Sequence, residues 1–372
     1  MTRLGIRVAA MALAGISLSA AMARAAEPTA SLKQGKPDLK SAGPLTFGPE
    51  GILFVGDTKG AALFAIDSGD RATATEKRTV QVKDLTGKIA GLLGTDAKQV
   101  QINDLAVNPL SGNTYVSVSR GRGPDAIPVI VRITADGKLE ELALDNVRFA
   151  KADVPNAPNP GPAVRGEDPR NAAITDLAYV DGRVFLAGLS NEEFSSRLIA
   201  IPFPFSSEGV DGSAIEIYHG AHGRFETKSP IRTFVAYRIQ NEPYLLAAYQ
   251  CTPLVKMPVA ELKAGAHVKG TTIAELGNRN RPLDMIVYHK DGKDYLLMTN
   301  NSRGVMKIPT EGAGSAESII QPVRDGGTKG LGYDTIASLK GVVQMDQLDD
   351  RHAVILTQDR AGTVDLSTIE LP

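Results

Sequence analysis

The sequence predicts an all-β protein folded as a β-propeller of six blades, with seven as the alternative count. Three observations carry that prediction. Six times a short apolar run leads into a tight polar turn and then a second apolar run. These units start near Pro44, Asp104, Asp176, Thr233, Asp284 and Val343, about 50 to 70 residues apart, which suits four-stranded blades carrying long loops. Helical periodicity is scarce and confined to two short stretches, 84–93 and 259–264, which argues against all-α and Rossmann architectures.

The chain opens on a leader rather than on the fold. Arg3 and Arg7 form a basic start, Val8 to Ala20 is an apolar stretch, and Ala23-Arg24-Ala25 supplies small residues for cleavage. This pattern predicts a secretory signal over residues 1–25, cut before Ala26, and a single domain over 26–372. The apolar stretch is shorter than the roughly 20 residues a membrane helix needs. With no twin arginine the protein is expected to travel unfolded, and to end as a periplasmic or secreted protein without a membrane anchor. Loss of Arg3, Arg7 and Arg24 leaves 38 basic against 42 acidic residues, a net of −4. No basic stripe exists to neutralise a phosphate backbone, so nucleic acid is excluded as the expected partner. The expected partners are a small-molecule ligand or another periplasmic protein.

The blades follow in order. Leu45 to Val55 gives the first hairpin, Asp104–Val107 with Thr114–Val118 the second, and Asp176 to Leu186 the third. Asp181-Gly182 and Asp291-Gly292 are turn dipeptides that accept positive φ and mark tight hairpins. Third strands are expected at 61–66, 127–133, 197–201, 254–257 and 304–308, where β-branched and apolar residues recur. A ring of blades is usually closed by a strand from the opposite end of the chain, and the segment Thr29 to Leu32 is expected to complete the last blade. One stretch breaks the rhythm. Residues 153–170 hold five prolines without periodicity, readable as a lid over a site or as a polyproline-like connection.

First-strand starts line the axis of a propeller, so their polar residues converge although they are distant in sequence. Here they bring Asn103-Asp104, Thr175-Asp176, Arg232-Thr233 and Leu283-Asp284. Three aspartates at one mouth repel unless a cation, an arginine or a shared proton compensates. Oxygen ligands of that kind suit a divalent cation, calcium before magnesium, with Asp104, Asp176, Asp284 and Asn103 as its ligands. Arg232 could supply the positive charge instead, or each aspartate could cap its own turn.

A second constellation is His219-Gly220-Ala221-His222, with Arg224 and Glu226 following and Cys251 in the next blade. Two imidazoles and a thiolate, with Met257 as a further donor, make a borderline-to-soft set that suits copper or zinc. The plainer reading is a surface turn and a buried small hydrophobe. A third group, Arg279, Arg281, Asn300 and Asn301 with Arg232, places guanidinium and amide donors on one rim, suited to an anionic or sugar-like ligand or simply to solvation. Cys251 is the sole cysteine, so an intrachain disulfide, a lipoprotein anchor and a c-type haem are excluded. Neither a Gly-x-Ser-x-Gly elbow nor a phosphate loop occurs, the latter despite Arg120-Gly121-Arg122-Gly123. Tryptophan is absent, which removes the Trp-Asp repeat and the tryptophan-rich blades of quinoprotein alcohol dehydrogenases.

The string Leu-Thr-Phe-Gly-Pro-Glu-Gly-Ile-Leu-Phe-Val-Gly-Asp at 45–57 resembles the blade openings of exported NHL-type and SMP-30/gluconolactonase-like propellers. Weaker echoes occur at Asp104, Asp176 and Asp284. The resemblance implies six blades and, in the lactonase members, a channel ion held by a glutamate, asparagines and an aspartate. Asp104, Asp176, Asp284 and Asn103 are the positions that carry over, while Pro44 stands where the acidic ligand of the first blade belongs. Three functions are therefore expected in turn: an accessory propeller that binds a ligand, metal or partner; a lactonase-type metal-dependent hydrolase with Asp104 or Asp176 taking the proton; and a copper-linked redox protein built on His219, His222 and Cys251. Whether the chain is an enzyme is left open by the residues.

Overall fold

The computed structural model describes residues 27–74, 79–161, 168–206, 210–251 and 253–372. The leader, residues 1–25, lies outside them, as does the middle of the proline-rich stretch. Six sheets, antiparallel except where His267–Lys269 joins Gly212–His219 in parallel, are arranged as a six-bladed propeller. Their innermost strands are Leu45–Phe47, Val100–Val107, Asp176–Val180, Ile231–Ile239, Pro282–Lys290 and Val342–Gln347, which we number blades 1 to 6 in chain order.

The strands form where apolar runs must be buried on both faces. In blade 1 every residue of Ile52–Asp57 is buried, as expected for a strand sandwiched between neighbouring sheets. The core is six layers, one between each pair of adjacent blades. Leu63 and Ala65 of blade 1 pack with Leu177, Val184 and Leu186 of blade 3, and comparable layers join blades 3 and 4, 4 and 5, and 5 and 6. Each leucine or valine among them contributes about 1.5–3 kcal/mol when fully buried. The helix Leu85–Leu92, capped by the Asp84 carboxylate on the Gly87 amide at 3.0 Å, sinks Leu85 and Ile89 into the layer between blades 6 and 2.

Ring order differs from chain order. The layers place the blades around the axis as 1-3-4-5-6-2, so blade 2 sits between blades 6 and 1. Two outer strands make this possible. Gln81–Val82, ahead of blade 2 in sequence, pairs with Val364–Glu370 and completes blade 6. Val147–Asp153, behind blade 2, pairs with Ala62–Asp67 and extends blade 1. The closing role expected of Thr29 to Leu32 is therefore corrected. Pro28–Ser31 is a 3-10 turn, begun by a proline that lacks a ladder donor, and Lys33–Gly35 then adds an outermost strand to blade 1.

Candidate functional site

Four inner strands carry a register irregularity at the same place, between Ile102 and Asp104, Ile231 and Thr233, Pro282 and Asp284, and Val342 and Gln344. A bulge re-aims the extra residue. Here Asn103, Arg232, Leu283 and Val343 are turned onto the mouth of the axial channel, where they line a cavity of about 1440 Å³. The residue after each bulge, with Pro44 and Asp176 in the two remaining blades, forms a ring at the waist. Read around the axis it runs Pro44, Asp176, Thr233, Asp284, Gln344, Asp104, so that acids alternate with uncharged residues.

Each acid is held by two backbone amides. One Asp176 oxygen accepts from Leu177 N at 2.8 Å and the other from Phe234 N of blade 4 at 2.7 Å. Asp284 does the same with Met285 N and, across to blade 6, Met345 N. Asp104 accepts from Leu45 N of blade 1 at 2.7 Å. Asp346, which the sequence reading missed because it lies two residues past the ring position, accepts from Val107 N of blade 2 at 2.7 Å. Gln344, with its amide nitrogen toward the acids, donates to Asp284 Oδ2 at 2.7 Å and Asp104 Oδ1 at 3.2 Å. Burial, reinforced by the charge on Asp176, raises Asp104 well above the usual carboxylate range. Burial also raises Asp284, with Asp104 and Asp176 adding repulsion, and pushes Asp176 up to about 7 against its amide donors. The three aspartates thus share one axis, as the repeat implied, and they tie neighbouring blades together.

Of the rim residues, Arg232, Arg281, Asn300 and Asn301 line the cavity and Arg279 does not. Arg279 takes a positive φ of 56° and its carbonyl accepts from Ser302 Oγ at 3.1 Å. Asn301 anchors Arg281 by accepting from its amide at 2.8 Å, and Asn300 accepts from Asn280 Nδ2 at 2.9 Å. Asn103 donates to Ala42 O at 2.8 Å and Ser119 Oγ at 3.0 Å. Pro160, Asp168 and Arg170, which flank the middle of the proline-rich stretch, also border the cavity.

On the same face, the strand Gly212–His219 ends in the loop that returns as Arg224–Glu226, and strand Glu242–Tyr249 ends beside Cys251. His219 is 1% exposed and its Nδ1 lies 2.9 Å from Glu226 Oε2. His222 Nδ1 lies 2.8 Å from Glu226 Oε1, and the two rings sit 3.9 Å apart. One carboxylate therefore orients both imidazoles, itself accepting from Ser229 Oγ at 2.7 Å and Arg224 Nε at 3.1 Å. Gly220 lets the buried Glu275 carboxylate reach its amide, since a Cβ there would come within 2.8 Å of Glu275 Oε1. Cys251, at φ 64°, donates its amide to Asn280 O at 2.8 Å, and its thiol lies beside His219. His219 lowers the thiol's pKa against the opposing effect of burial. Burial works to lower His219, yet Cys251 and Glu226 outweigh it and push it up to about 9. Burial likewise opposes, and the histidine, serine and arginine donors outweigh it, holding Glu226 well below the usual carboxylate range.

The ligand atoms of His219, His222 and Cys251 all lie within 4.8 Å of one another. Met257 does not join them. It pairs with Leu245 at the far end of its strand and is fully buried between blades 3 and 4. Glu226, four residues past His222, was named with this group in the sequence but not as the carboxylate that orients both rings, and Glu275 was missed.

No known family matches the chain, and no curated protein does either. Among solved structures, the PQQ-bound aldose sugar dehydrogenase of Streptomyces coelicolor aligns at TM-score 0.34 and 11% identity, over 91% of this chain and 96% of that one. A putative 6-phosphogluconolactonase of Bacteroides uniformis aligns at TM-score 0.32 and 11% identity, over 92% and 79%. The extracellular region of plexin A4 aligns at TM-score 0.42 and 8% identity, over 91% and 47%. The likeness to NHL-type and gluconolactonase-like propellers therefore rests on the repeat in the sequence, and the six-bladed fold on the sheets themselves.

Proposed function

We propose that the chain is an exported binding propeller in which His219, His222 and Cys251 hold one copper or zinc ion beside the axial cavity. The observation that carries this reading is the shared carboxylate. Glu226 takes the Nδ1 of both rings, and the ligand atoms of His219, His222 and Cys251 lie within 4.8 Å of one another. A carboxylate behind a ligating histidine fixes its tautomer and raises its basicity. Two imidazoles and a thiolate suit zinc and copper and disfavour calcium or magnesium. His222 is 44% exposed, so the group is open to solvent on one side, the arrangement of a site that loads an ion or keeps a coordination position for a ligand.

The lactonase-type reading ranks second. It needs an ion on Asp104, Asp176 and Asp284, whose oxygens already accept backbone amides from two blades. Metal analysis of protein purified from its native compartment separates the two. About one equivalent of copper or zinc, lost in Cys251→Ser and His222→Ala but kept in Asp104→Asn, supports the proposal. Calcium lost in Asp104→Asn, or lactone hydrolysis abolished by Asp176→Asn, supports the alternative.

A further inference from the structure

A second carboxylate, deeper than Glu226, serves the loop of the thiol–imidazole group. Glu275 ends the strand Thr271–Glu275, the fourth of blade 4, and is 1% exposed. A carboxylate is costly to bury unless hydrogen bonds replace its water. Here Oε1 accepts from the amide of Gly220, the residue that follows His219.

By register Glu275 belongs to the thiol side. It stands opposite Pro253, two residues past Cys251, in the ladder between Pro253–Pro258 and Thr271–Glu275. Gly220 belongs to the imidazole side, at the exit of strand Gly212–His219 in blade 3. One hydrogen bond thus ties the strand beside the cysteine turn to the loop that carries both histidines. Three residues earlier, Thr272 Oγ1 donates to Tyr218 O at 2.7 Å, which docks blade 4 on blade 3 ahead of that loop. The loop closes around the Glu275 contact. His222 N and Gly223 N donate to His219 O at 3.1 and 2.8 Å, and Val323 N donates to Gly220 O at 2.8 Å. Gly220 is therefore held at its amide and its carbonyl. That sets the direction in which the chain leaves the strand and so the place of His222, whose ring centroid lies 3.9 Å from that of His219. The contact requires glycine for space rather than for backbone angle. A Cβ on Gly220 would come within 2.8 Å of Glu275 Oε1 and 2.9 Å of its Cγ, while the φ of Gly220 lies outside the left-handed region.

The structure assigns Glu275 as the positioning residue of the thiol–imidazole group, fixing how far the two imidazoles stand from Cys251 before an ion arrives. The assignment rests on the metal reading above and deepens it by naming a residue that acts through the main chain of the loop. Groups behind the ligands commonly govern metal affinity by about 10- to 100-fold, and a site held in shape spares the ion the cost of ordering it.

Cobalt(II) titration of the mature chain beside three variants tests it. Glu275→Gln keeps an oxygen for the Gly220 amide and should bind cobalt as wild type does. Glu275→Ala and Gly220→Ala should each bind at least ~10-fold more weakly, with the visible cobalt bands shifted because the ligand separation has changed. A residue that only stabilised the fold would lower the melting temperature and leave those bands as they are. Circular dichroism melts check folding, and Gly220→Ala reads the same contact where Glu275→Ala does not fold. Wild-type affinity and bands in either folded alanine variant would overturn the assignment. So would a loss in Glu275→Gln as large as that in Glu275→Ala, which would make the buried charge rather than the held loop responsible. A wild-type chain that takes up no cobalt would end the metal reading instead. The assignment is then judged by amide hydrogen exchange over residues 220–223, which Glu275→Ala should speed and Glu275→Gln should not; unchanged exchange in Glu275→Ala would overturn it.

Discussion

Glu226 is the residue on which the thiol–imidazole group turns. Its two oxygens serve His219 and His222 separately, so its loss frees both rings at once. Glu226→Gln keeps the size but offers only one acceptor oxygen. We expect its metal affinity to fall about 10- to 100-fold, while Cys251→Ser abolishes stoichiometric binding; a competition titration with a chelator reads both. Glu226→Ala additionally leaves the buried His219 without its partner and should cost about 1–3 kcal/mol in urea denaturation. That His219, His222 and Cys251 come together was legible in the sequence because two histidines three residues apart and a sole cysteine are rare features. Glu226 stood in plain view but signals nothing until the loop folds back on itself. Met257 misled for the opposite reason: sequence distance from Cys251 is short, but an extended strand carries each residue about 3.3 Å further from the turn.

Among the elements, the inner strands do two jobs through one irregularity. The bulge aims a residue at the cavity, and at Asp104 and Asp284 the ring residue that follows it ties one blade to the next. Asp176→Ala removes acceptors from Leu177 N and Phe234 N and should cost about 2–4 kcal/mol, measured by denaturant unfolding. The sequence put the first-strand starts near Pro44, Asp104, Asp176, Thr233, Asp284 and Val343, and four of these strands begin earlier, at Val100, Ile231, Pro282 and Val342, because alternation cannot show where a strand gains a residue. Closure was less legible still. Strand patterns report which segments are extended, and the two-residue Gln81–Val82 strand is too short to show any pattern. Its Val82 side chain is 1% exposed in the layer between blades 6 and 2. Val82→Asp is therefore expected to lower stability by about 3 kcal/mol or more. Deleting residues 27–36, a 3-10 turn and an outermost strand on blade 1 that add Leu32 to the core, should lower the melting temperature less. The reverse ranking would show that the ring is closed elsewhere.

For the molecule as a whole, the waist acids set how stability follows pH. Asp176 is raised to about 7, against about 3.9 for the same group in an unfolded chain. Between those values the folded state keeps a proton that the unfolded state has released. Stability is then greatest at mildly acidic pH and falls as pH rises through the window from about 4 to 7. Asp104 and Asp284 shift in the same direction. The melting temperature should fall by several degrees from pH 5 to pH 8, and Asp176→Asn should flatten part of that slope; a slope of opposite sign would contradict the burial of these acids. The six blades were readable because every unit repeats the same burial problem. Their order around the axis was not, since it depends on two outer strands supplied from outside their own repeats.

Cobalt(II) titration of the mature chain tests the central claim most directly. One equivalent should produce a thiolate-to-cobalt charge-transfer band in the near ultraviolet, absent in Cys251→Ser and weakened in His222→Ala. A wild-type protein that gives no such band, or one whose band survives the loss of Cys251, would contradict a metal centre at this site.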